Sequence, residues 1–275
     1  LTKAKTKPVR FTVLGTGSAS QLPVYNCRCL ACELARADSR LIRRPASAML
    51  QIGRDVYLFD SGLMDLRERF PMPAADEVDA PRLTAIFQTH YHADHAQGLL
   101  SLRWGEGMSL PVYGPDDAVG FADLYKHPGI LDFSHTLAPF QCLTLVDNDT
   151  GSVTVTALPL EHSRPTLGYL IEVSKGKAIA YLTDTKGLSP EVLALLRAKA
   201  VDYVLVDCTY PPGVKAKGHH HLHEALALVP QIPAKAFYLT HIDHSLETYL
   251  IQHPEQLPTG VQLAQDGMCF DLSVA

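Results

Sequence analysis

Short apolar runs rich in β-branched and aromatic residues recur along the chain, each bounded by Gly, Pro, Asp, Asn or Ser. Runs of this length with turn-forming residues at both ends predict strands. They are Phe11–Leu14, Ala48–Ile52, Val56–Phe59, Thr84–Gln88, Pro111–Tyr113, Val153–Leu158, Leu167–Val173, Ala178–Leu182, Tyr203–Val206, Ala236–Leu239 and Met268–Leu272. Leu167–Val173 and Ala178–Leu182 flank Ser174-Lys175-Gly176-Lys177, which predicts a hairpin. Pro190–Ala200 has helical spacing, with Ser189 as N-cap, Pro190 in the first helical position and Glu191 in the first turn. Shorter helices are expected over Leu222–Val229, Asp116–Tyr125 and Ser245–Gln252, and another through Leu99–Leu102. Many strands, few helices and no linker predict an α/β fold of two mixed sheets covered by helices. A single domain over 11–275, preceded by a basic tail at 1–10, is the economical organisation for 275 residues.

Composition narrows the function. With 47% hydrophobic and 19% charged residues the chain is not disordered. Its longest apolar runs fall far short of the ~20 residues of a membrane span. The basic start lacks the apolar core of a signal peptide. A net charge of −5 argues against a general nucleic-acid binder. The unusual counts are 13 His and 6 Cys. Cys27, Cys29 and Cys32 crowd together, whereas Cys142, Cys208 and Cys269 are scattered beside apolar residues. Such a cluster reads as metal-binding in a reducing compartment rather than as a disulfide framework, so a cytoplasmic protein is expected.

The strongest local signal is Thr89-His90-Tyr91-His92-Ala93-Asp94-His95, directly after the buried-strand run Leu83–Phe87. Three imidazoles and a carboxylate this close cannot all be satisfied cheaply in a core. A turn at a strand end can aim His90 and His92 at one cation, and Asp94 and His95 at a second. His and carboxylate ligands suit Zn, Mn or Fe, and two such ions make a hydrolytic site. The bland alternative is a solvated turn rich in His by chance, which this spacing disfavours. Four further polar residues close strand-like runs: His162, Asp184, Asp207 and His241. Singly, each reads as a cap or a satisfied polar group. Together they repeat one arrangement, an apolar strand delivering His or Asp at its carboxyl end, where open sheets bind ligands. His162, Asp184 and His241 then complete two coordination shells, with Asp184 as the bridging carboxylate.

This set, with Asp60 in Phe59-Asp60-Ser61-Gly62, resembles the metallo-β-lactamase superfamily in its binuclear phosphodiesterase branch. Within that branch it is similar to the PhnP-like cyclic phosphodiesterases of carbon–phosphorus lyase pathways. The segments that carry the likeness are Leu14-Gly15-Thr16-Gly17-Ser18, Cys27-Arg28-Cys29-Leu30-Ala31-Cys32, Arg43-Arg44-Pro45, Leu102-Arg103-Trp104-Gly105, Pro111-Val112-Tyr113-Gly114-Pro115, Lys126-His127-Pro128-Gly129, Leu131-Asp132-Phe133-Ser134-His135 and Gln265-Asp266-Gly267-Met268. The resemblance implies a four-layer αββα sandwich with two divalent ions, Mn or Zn, at the sheet edges. It implies that Asp60 stands behind the ligands and orients their loop; Asp207 is assigned a place of the same kind. It also implies a zinc-binding loop at 27–32, in which Cys27, Cys29 and Cys32 take His244 as the fourth ligand of a structural zinc. His219, after Gly218 and before a helix, matches the position of a catalytic His, with His220 as the neighbour that takes the role in a shifted register. His220, His221 and His223 otherwise read as solvated.

The implied reaction is metal-assisted hydrolysis of a cyclic phosphodiester: 5-phospho-α-D-ribosyl 1,2-cyclic phosphate opened to ribose 1,5-bisphosphate in phosphonate catabolism. Asp94 would orient or deprotonate the nucleophile besides ligating. His219 would protonate the departing sugar oxygen or stabilise the phosphate, a task that suits imidazole at neutral pH. Arg43, Arg44, Arg103 and Lys126 are the candidate cations for the 5-phosphate. The expected partner is a small phosphorylated sugar, with no nucleic acid and no membrane, and the resemblance implies a homodimer. On the same fold the alternatives are an RNase Z-like nuclease, which needs a basic arm absent from this sequence, and a thioester hydrolase. The alternative of another class is a non-catalytic, PqqB-like metal-binding protein, which shares a segment like Asn26–Cys32 but has a degraded His motif. The full ligand set here favours catalysis.

Overall fold

The computed structural model describes residues 8–74, 76–77, 79–148 and 151–273. Most of the expected tail, residues 1–7, lies outside the described residues; the first strand already begins at Val9.

The first sheet contains β1 (Val9–Gly15), β2 (Ser47–Ile52), β3 (Asp55–Phe59), β4 (Arg82–Phe87), β5 (Leu110–Gly114), β6 (Leu131–Thr136) and β14 (Cys269–Asp271) in the order β14-β1-β2-β3-β4-β5-β6. The second contains β7 (Cys142–Asn148), β8 (Gly151–Leu160), β9 (Thr166–Val173), β10 (Ala178–Leu182), β11 (Tyr203–Asp207), β12 (Ala236–Thr240) and β13 (Val261–Leu263) in the order β13-β12-β11-β10-β9-β8-β7. Each sheet has an antiparallel part and a parallel part: β3 to β6 run parallel in one, β10 to β13 in the other. Parallel neighbours share their carboxyl ends, so the loops after them gather along one edge of each sheet.

The helices are α1 (Leu30–Ala37), α2 (Leu66–Arg69), α3 (Ala93–Ala96), α4 (Leu99–Leu102), α5 (Ala122–Lys126), α6 (Pro190–Ala198), α7 (Leu222–Leu226) and α8 (His244–Gln252). Three apolar clusters define four layers. The central one lies between the sheets and contains Phe11, Phe59, Phe87, Tyr169, Tyr181 and Leu205. Its aromatic stack runs Phe59–Phe87 at 5.0 Å and Phe87–Tyr113 at 4.9 Å between ring centroids, with Tyr169 edge-on to both phenylalanines. A second cluster joins the outer face of one sheet to α6, α7 and α8 through Val192, Leu196, Leu222 and Leu246. A third joins the other sheet to α2, α4 and α5 through Leu66, Leu99 and Leu124. This is the metallo-β-lactamase αββα sandwich.

Every predicted strand is present, and the turn at 174–177 joins antiparallel β9 and β10. The helix expected over Asp116–Tyr125 is confined to Ala122–Lys126. Asp117 prevents its earlier start. Its Oδ1 accepts the N–H groups of Val119 and Gly120, both at 3.0 Å, and so closes a side-chain turn instead. Among the described residues, no helix is long and apolar enough to cross a membrane.

Candidate metal centre

The polar residues that follow the strands converge. His90 follows β4, His162 follows β8, Asp184 follows β10, Asp207 ends β11 and His241 follows β12. Their donor atoms form two groups, each within 4.8 Å: His90, His92, His162 and Asp184, and Asp94, His95, Asp184 and His241. A third group within the same distance, Asp184, Asp207, His219 and His241, overlaps both. Asp184 belongs to all three, and its two oxygens divide the work between the first two. Oδ2 lies 3.6 Å from His90 Nε2 and 3.7 Å from His162 Nε2. Oδ1 lies 3.2 Å from His95 Nε2 and 3.3 Å from His241 Nε2. Asp94 Oδ2 closes the second group, 3.4 Å from His95 Nε2 and 3.5 Å from His241 Nε2.

Backbone geometry turns these side chains inward. Asp60, Asp184 and His241 have φ of 57°, 58° and 61°, each one or two residues beyond the end of a strand. Left-handed non-glycine residues are uncommon, with Asp, Asn and His enriched among them. At Gly62 an added Cβ would lie 2.0 Å from the carbonyl oxygen of Asp94, so only glycine lets the chain after β3 pass so close to the ligand turn.

The ring nitrogens not used by the groups are fixed from behind. Asp60, fully buried, lies with Oδ2 at 2.9 Å from His95 Nδ1, and its Oδ1 accepts the Thr89 N–H at 2.8 Å. The Thr89 hydroxyl donates to Asp60 and lies 3.0 Å from His90 Nδ1. His162 Nδ1 donates to the carbonyl oxygen of Gly218 at 2.8 Å, and His241 Nδ1 meets the Thr209 hydroxyl at 2.9 Å. Whenever these rings are neutral, those tautomers leave lone pairs on the inward nitrogens. Gln88 spans the ligand turn, its amide donating to the carbonyl oxygens of His90 and His95, while Ser61 donates to its Oε1. Thr89, Thr209, Gln88 and Ser61 were not among the residues singled out from the sequence. For Thr89 the signal was its place between a strand end and the first His.

The donor set fits divalent cations. His95 Nε2 is buried with no hydrogen-bond partner, although it faces two carboxylates. His90 Nε2 lies 2.8 Å from His92 Nδ1, and His162 Nε2 lies 3.3 Å from the same atom, a crowding of lone pairs that a cation relieves. The electrostatics differ between the groups. Burial holds His90 well below its ordinary value, helped by the neighbouring His95, and burial also lowers His92 and His162. In the second group burial opposes charge, but Asp184, Asp60 and Asp94 outweigh it and hold His95 well above its ordinary value. His241 is likewise raised, to about 9, against burial, by Asp184 and Asp94. Burial also opposes the charges of Asp94 and Asp184, yet the imidazoles of His95 and His241 keep both carboxyls far below their usual range. One group is thus ready as neutral ligands, and in the other a metal ion would displace protons.

His219 stands at the rim of both groups. Its ring stacks on His241 at 4.9 Å with an interplanar angle of 8° and meets His162 edge-on at 5.0 Å. Its Nδ1 donates to Asp207 Oδ2 at 2.8 Å. Asp207 Oδ1 accepts the His220 N–H, also at 2.8 Å, so one fully buried carboxylate sets both residues. The His220 ring is buried with Nδ1 unpartnered. His221 lies beside Glu224.

The cysteines form a separate group. His244 Nδ1, in the first residue of α8, lies 3.4 Å from Cys27 Sγ and 3.3 Å from Cys29 Sγ, and Cys32 completes the set. Burial opposes ionisation of Cys29, but hydrogen bonds from Thr248 and His244 draw it down to about 6. Burial pushes Cys32 up to about 12, aided by the neighbouring thiols. Helix α1, not anticipated from the sequence, grows directly from this loop and buries Ala31, Cys32 and Ala35 against Leu22.

The expected phosphate cations are not at the centre. Arg43 is buried and donates to Glu247, Thr16 and the carbonyl oxygen of Ala264, a cross-link between α8 and the chain entering β2. Arg44 pairs with Asp266, and Arg103 pairs with Asp123 and covers Trp104. Lys126 is exposed on α5.

Residues 56–242 match the beta-lactamase superfamily domain. The chain is 26% identical over 275 residues to an octanoyltransferase of Porphyromonas gingivalis, covering 94% of this chain and 51% of that protein. It is 28% identical over 168 residues to a ribonuclease Z of Methanosarcina acetivorans, covering 59% of this chain and 48% of the relative. The chain thus spans about half the length of each of these two relatives. A crystal structure of a diphosphatase from the PhnP family superposes with a TM-score of 0.76 at 25% identity, covering 96% of this chain and 98% of the other. The match to more than half of the chain, on this fold, makes the protein a member of the metallo-β-lactamase superfamily.

Proposed function

We propose that the protein is a binuclear metal-dependent phosphodiesterase, which opens the cyclic diester of a phosphorylated sugar. The substrate on this reading is 5-phospho-α-D-ribosyl 1,2-cyclic phosphate, the product ribose 1,5-bisphosphate and the setting phosphonate catabolism. The carrying observation is the divided carboxylate of Asp184, one oxygen toward each donor group. The likeness to a PhnP-family diphosphatase supports phosphoester chemistry on this scaffold.

His90, His92, His162 and Asp184 would hold one ion and Asp94, His95, Asp184 and His241 the other, manganese or zinc by ligand type. Bound there, such ions polarise phosphoryl oxygens and lower the pKa of water. The chain's own residues do the rest. Asp94 Oδ2, at the edge of the second group, orients the attacking water and accepts its proton. His219 donates a proton from Nε2 to the departing sugar oxygen, while Asp207 holds Nδ1–H and fixes the ring. Asp60 and Thr89 keep His95 and His90 in their ligating tautomers. Cys27, Cys29, Cys32 and His244 hold a structural zinc away from the chemistry. On this reading the protein is a cytoplasmic homodimer that binds neither nucleic acid nor membranes.

The test is a turnover comparison with metal-replete protein. Substrates are a phosphoribosyl cyclic phosphate, bis-p-nitrophenyl phosphate, a 2′,3′-cyclic nucleotide and a thioester. Preference for the sugar cyclic phosphate supports the reading, and preference for the thioester overturns it.

A further inference from the structure

The loop after Asp184 and the loop before His219 run on beyond the metal centre and enclose a cavity of about 400 Å³. Lys186, Lys215, His221, Glu224 and the turn at 213–216 line it. Lys186 is two residues from Asp184, and His221 is two residues from His219. Two residues of extended chain reach at most ~7 Å, so the backbone that lines the cavity begins within that reach of the backbone of Asp184 and of His219.

Its charges are unevenly matched. Lys186 Nζ donates to both oxygens of Glu224, at 2.7 Å and 2.6 Å. Glu224 Oε2 also accepts the His221 N–H at 3.0 Å, and the buried His221 Nδ1 has no hydrogen-bond partner. Lys215 is exposed at the rim, and among the described residues it makes no ion pair. Gly213, at φ +84°, has nothing within 4 Å of the place a Cβ would take, so the mouth is open. Two ammonium groups and an imidazole therefore face one carboxylate. The Lys186–Glu224 pair is about one-third exposed on each side, and exposed pairs hold their partners weakly. A phosphate dianion, with more acceptor oxygens than a carboxylate, can take Lys186 from Glu224 and gain Lys215.

We propose that this cavity is the subsite for a second anionic group of the substrate, a phosphomonoester carried one sugar away from the scissile diester. The proposal rests on the phosphodiesterase reading and deepens it. The cations named from the sequence do not serve, since Arg43, Arg44 and Arg103 are committed to Glu247, Asp266 and Asp123. Arg164, near His162, is committed to Asp117. Glu224 has a part of its own. It holds Lys186 in place when no phosphate is bound, and it weakens the site for any anion that cannot displace it.

The experiment compares ribosyl 1,2-cyclic phosphate with and without its 5-phosphate, alongside bis-p-nitrophenyl phosphate, all with metal-loaded enzyme. Lys186→Ala and Lys215→Ala, singly and together, should raise KM for the 5-phosphorylated substrate by about 10- to 100-fold, the scale of a lost charge-assisted hydrogen bond. Both substrates without the distal phosphate should keep their KM and kcat. Glu224→Gln keeps the fold's hydrogen bond to His221 and should lower KM for the 5-phosphorylated substrate alone. Equal changes on all three substrates, or none on any, overturn the subsite while leaving the phosphodiesterase reading intact. Failure of the wild-type enzyme to hydrolyse any of the three overturns both.

Discussion

Asp207→Asn tests the proposed proton donor, His219, separately from the proposed metal ligands. Asp207 is fully buried, and its two oxygens accept from His219 Nδ1 and from the His220 N–H, both at 2.8 Å. An amide keeps the shape but not the pairing. If its oxygen faces the His220 N–H, its NH₂ faces His219 Nδ1 and stabilises no positive charge on the ring. If it is flipped, NH₂ opposes the His220 N–H, donor against donor. A hydrogen bond to a charged group contributes ~1.5–3 kcal/mol, a factor of about 10 to 150. Complete loss of a general acid costs about 10²- to 10⁴-fold. The variant, which keeps His219 but loses this bond, should therefore lose about 10- to 150-fold in kcat on a sugar cyclic diester, with complete loss of the acid as the ceiling. On bis-p-nitrophenyl phosphate, whose leaving group departs without a proton, it should lose less than about tenfold. His219→Ala should show the same split, and the double variant should add little, because the two residues act as one unit. Metal content measured in parallel should be unchanged. Equal loss on both substrates would refute the reasoning, and would point instead to Asp207 acting through Thr209 on the ligand His241.

Asp184→Ala removes the carboxylate shared by both groups, so metal per chain should fall and turnover vanish; the loss should exceed the ~10–100-fold that partners standing behind metal ligands contribute. Cys29→Ser should lower zinc content and melting temperature while the ions proposed for the other centre stay, because the cysteine group shares no residue with the His90–His241 groups; a well-folded variant without activity would contradict a purely structural role. Asp117→Asn tests the strap over the loop after His162. Burial opposes the charge of Asp117, but the Gly120 N–H and Arg164 hold its carboxyl below the usual range. Its stabilising effect is then fully present above the unfolded value of ~3.9 and is lost as pH falls through the lower folded value. Urea midpoints of wild type and variant should differ at pH 7 and draw together in acid; a gap that stays constant contradicts the ion pair.

The strands that deliver site residues were legible because each is a buried apolar run ended by a polar residue. Ala178–Leu182, buried at every position, is followed by Thr183 and Asp184, and the contrast is plain in the letters. The strands that escaped, β6, β7 and β13, are all edge strands. An edge strand is paired on one side and needs no continuous apolar face, and Leu131-Asp132-Phe133-Ser134-His135-Thr136 shows it. Helix α1 escaped for a different reason: its buried face is made of Ala31, Cys32 and Ala35, too small to mark a stripe, and the cysteine was read only as a ligand.

The charges were the least legible part of the site, for a physical reason. An arginine between strand-like runs looks available in a sequence, because its partner is distant along the chain. Arg43 meets Glu247 and Ala264, each some two hundred residues away in sequence, with separations of 204 and 221. The buried guanidinium makes three directed hydrogen bonds, and removing it from them would strand Glu247 in a site with little water. A substrate phosphate has no means of repaying that cost. Lys186 looks no more available, since Glu224 occupies it, but that pair is open to solvent and can exchange partners. If Lys186 binds substrate as proposed, what separates it from an anchoring cation such as Arg43 is burial of the pair, which depends on contacts the sequence order conceals. The same reasoning ranks the two variants: Arg43→Ala should destabilise the fold by about 3–5 kcal/mol, as read from thermal or urea unfolding, whereas Lys186→Ala should leave stability nearly unchanged and alter only KM.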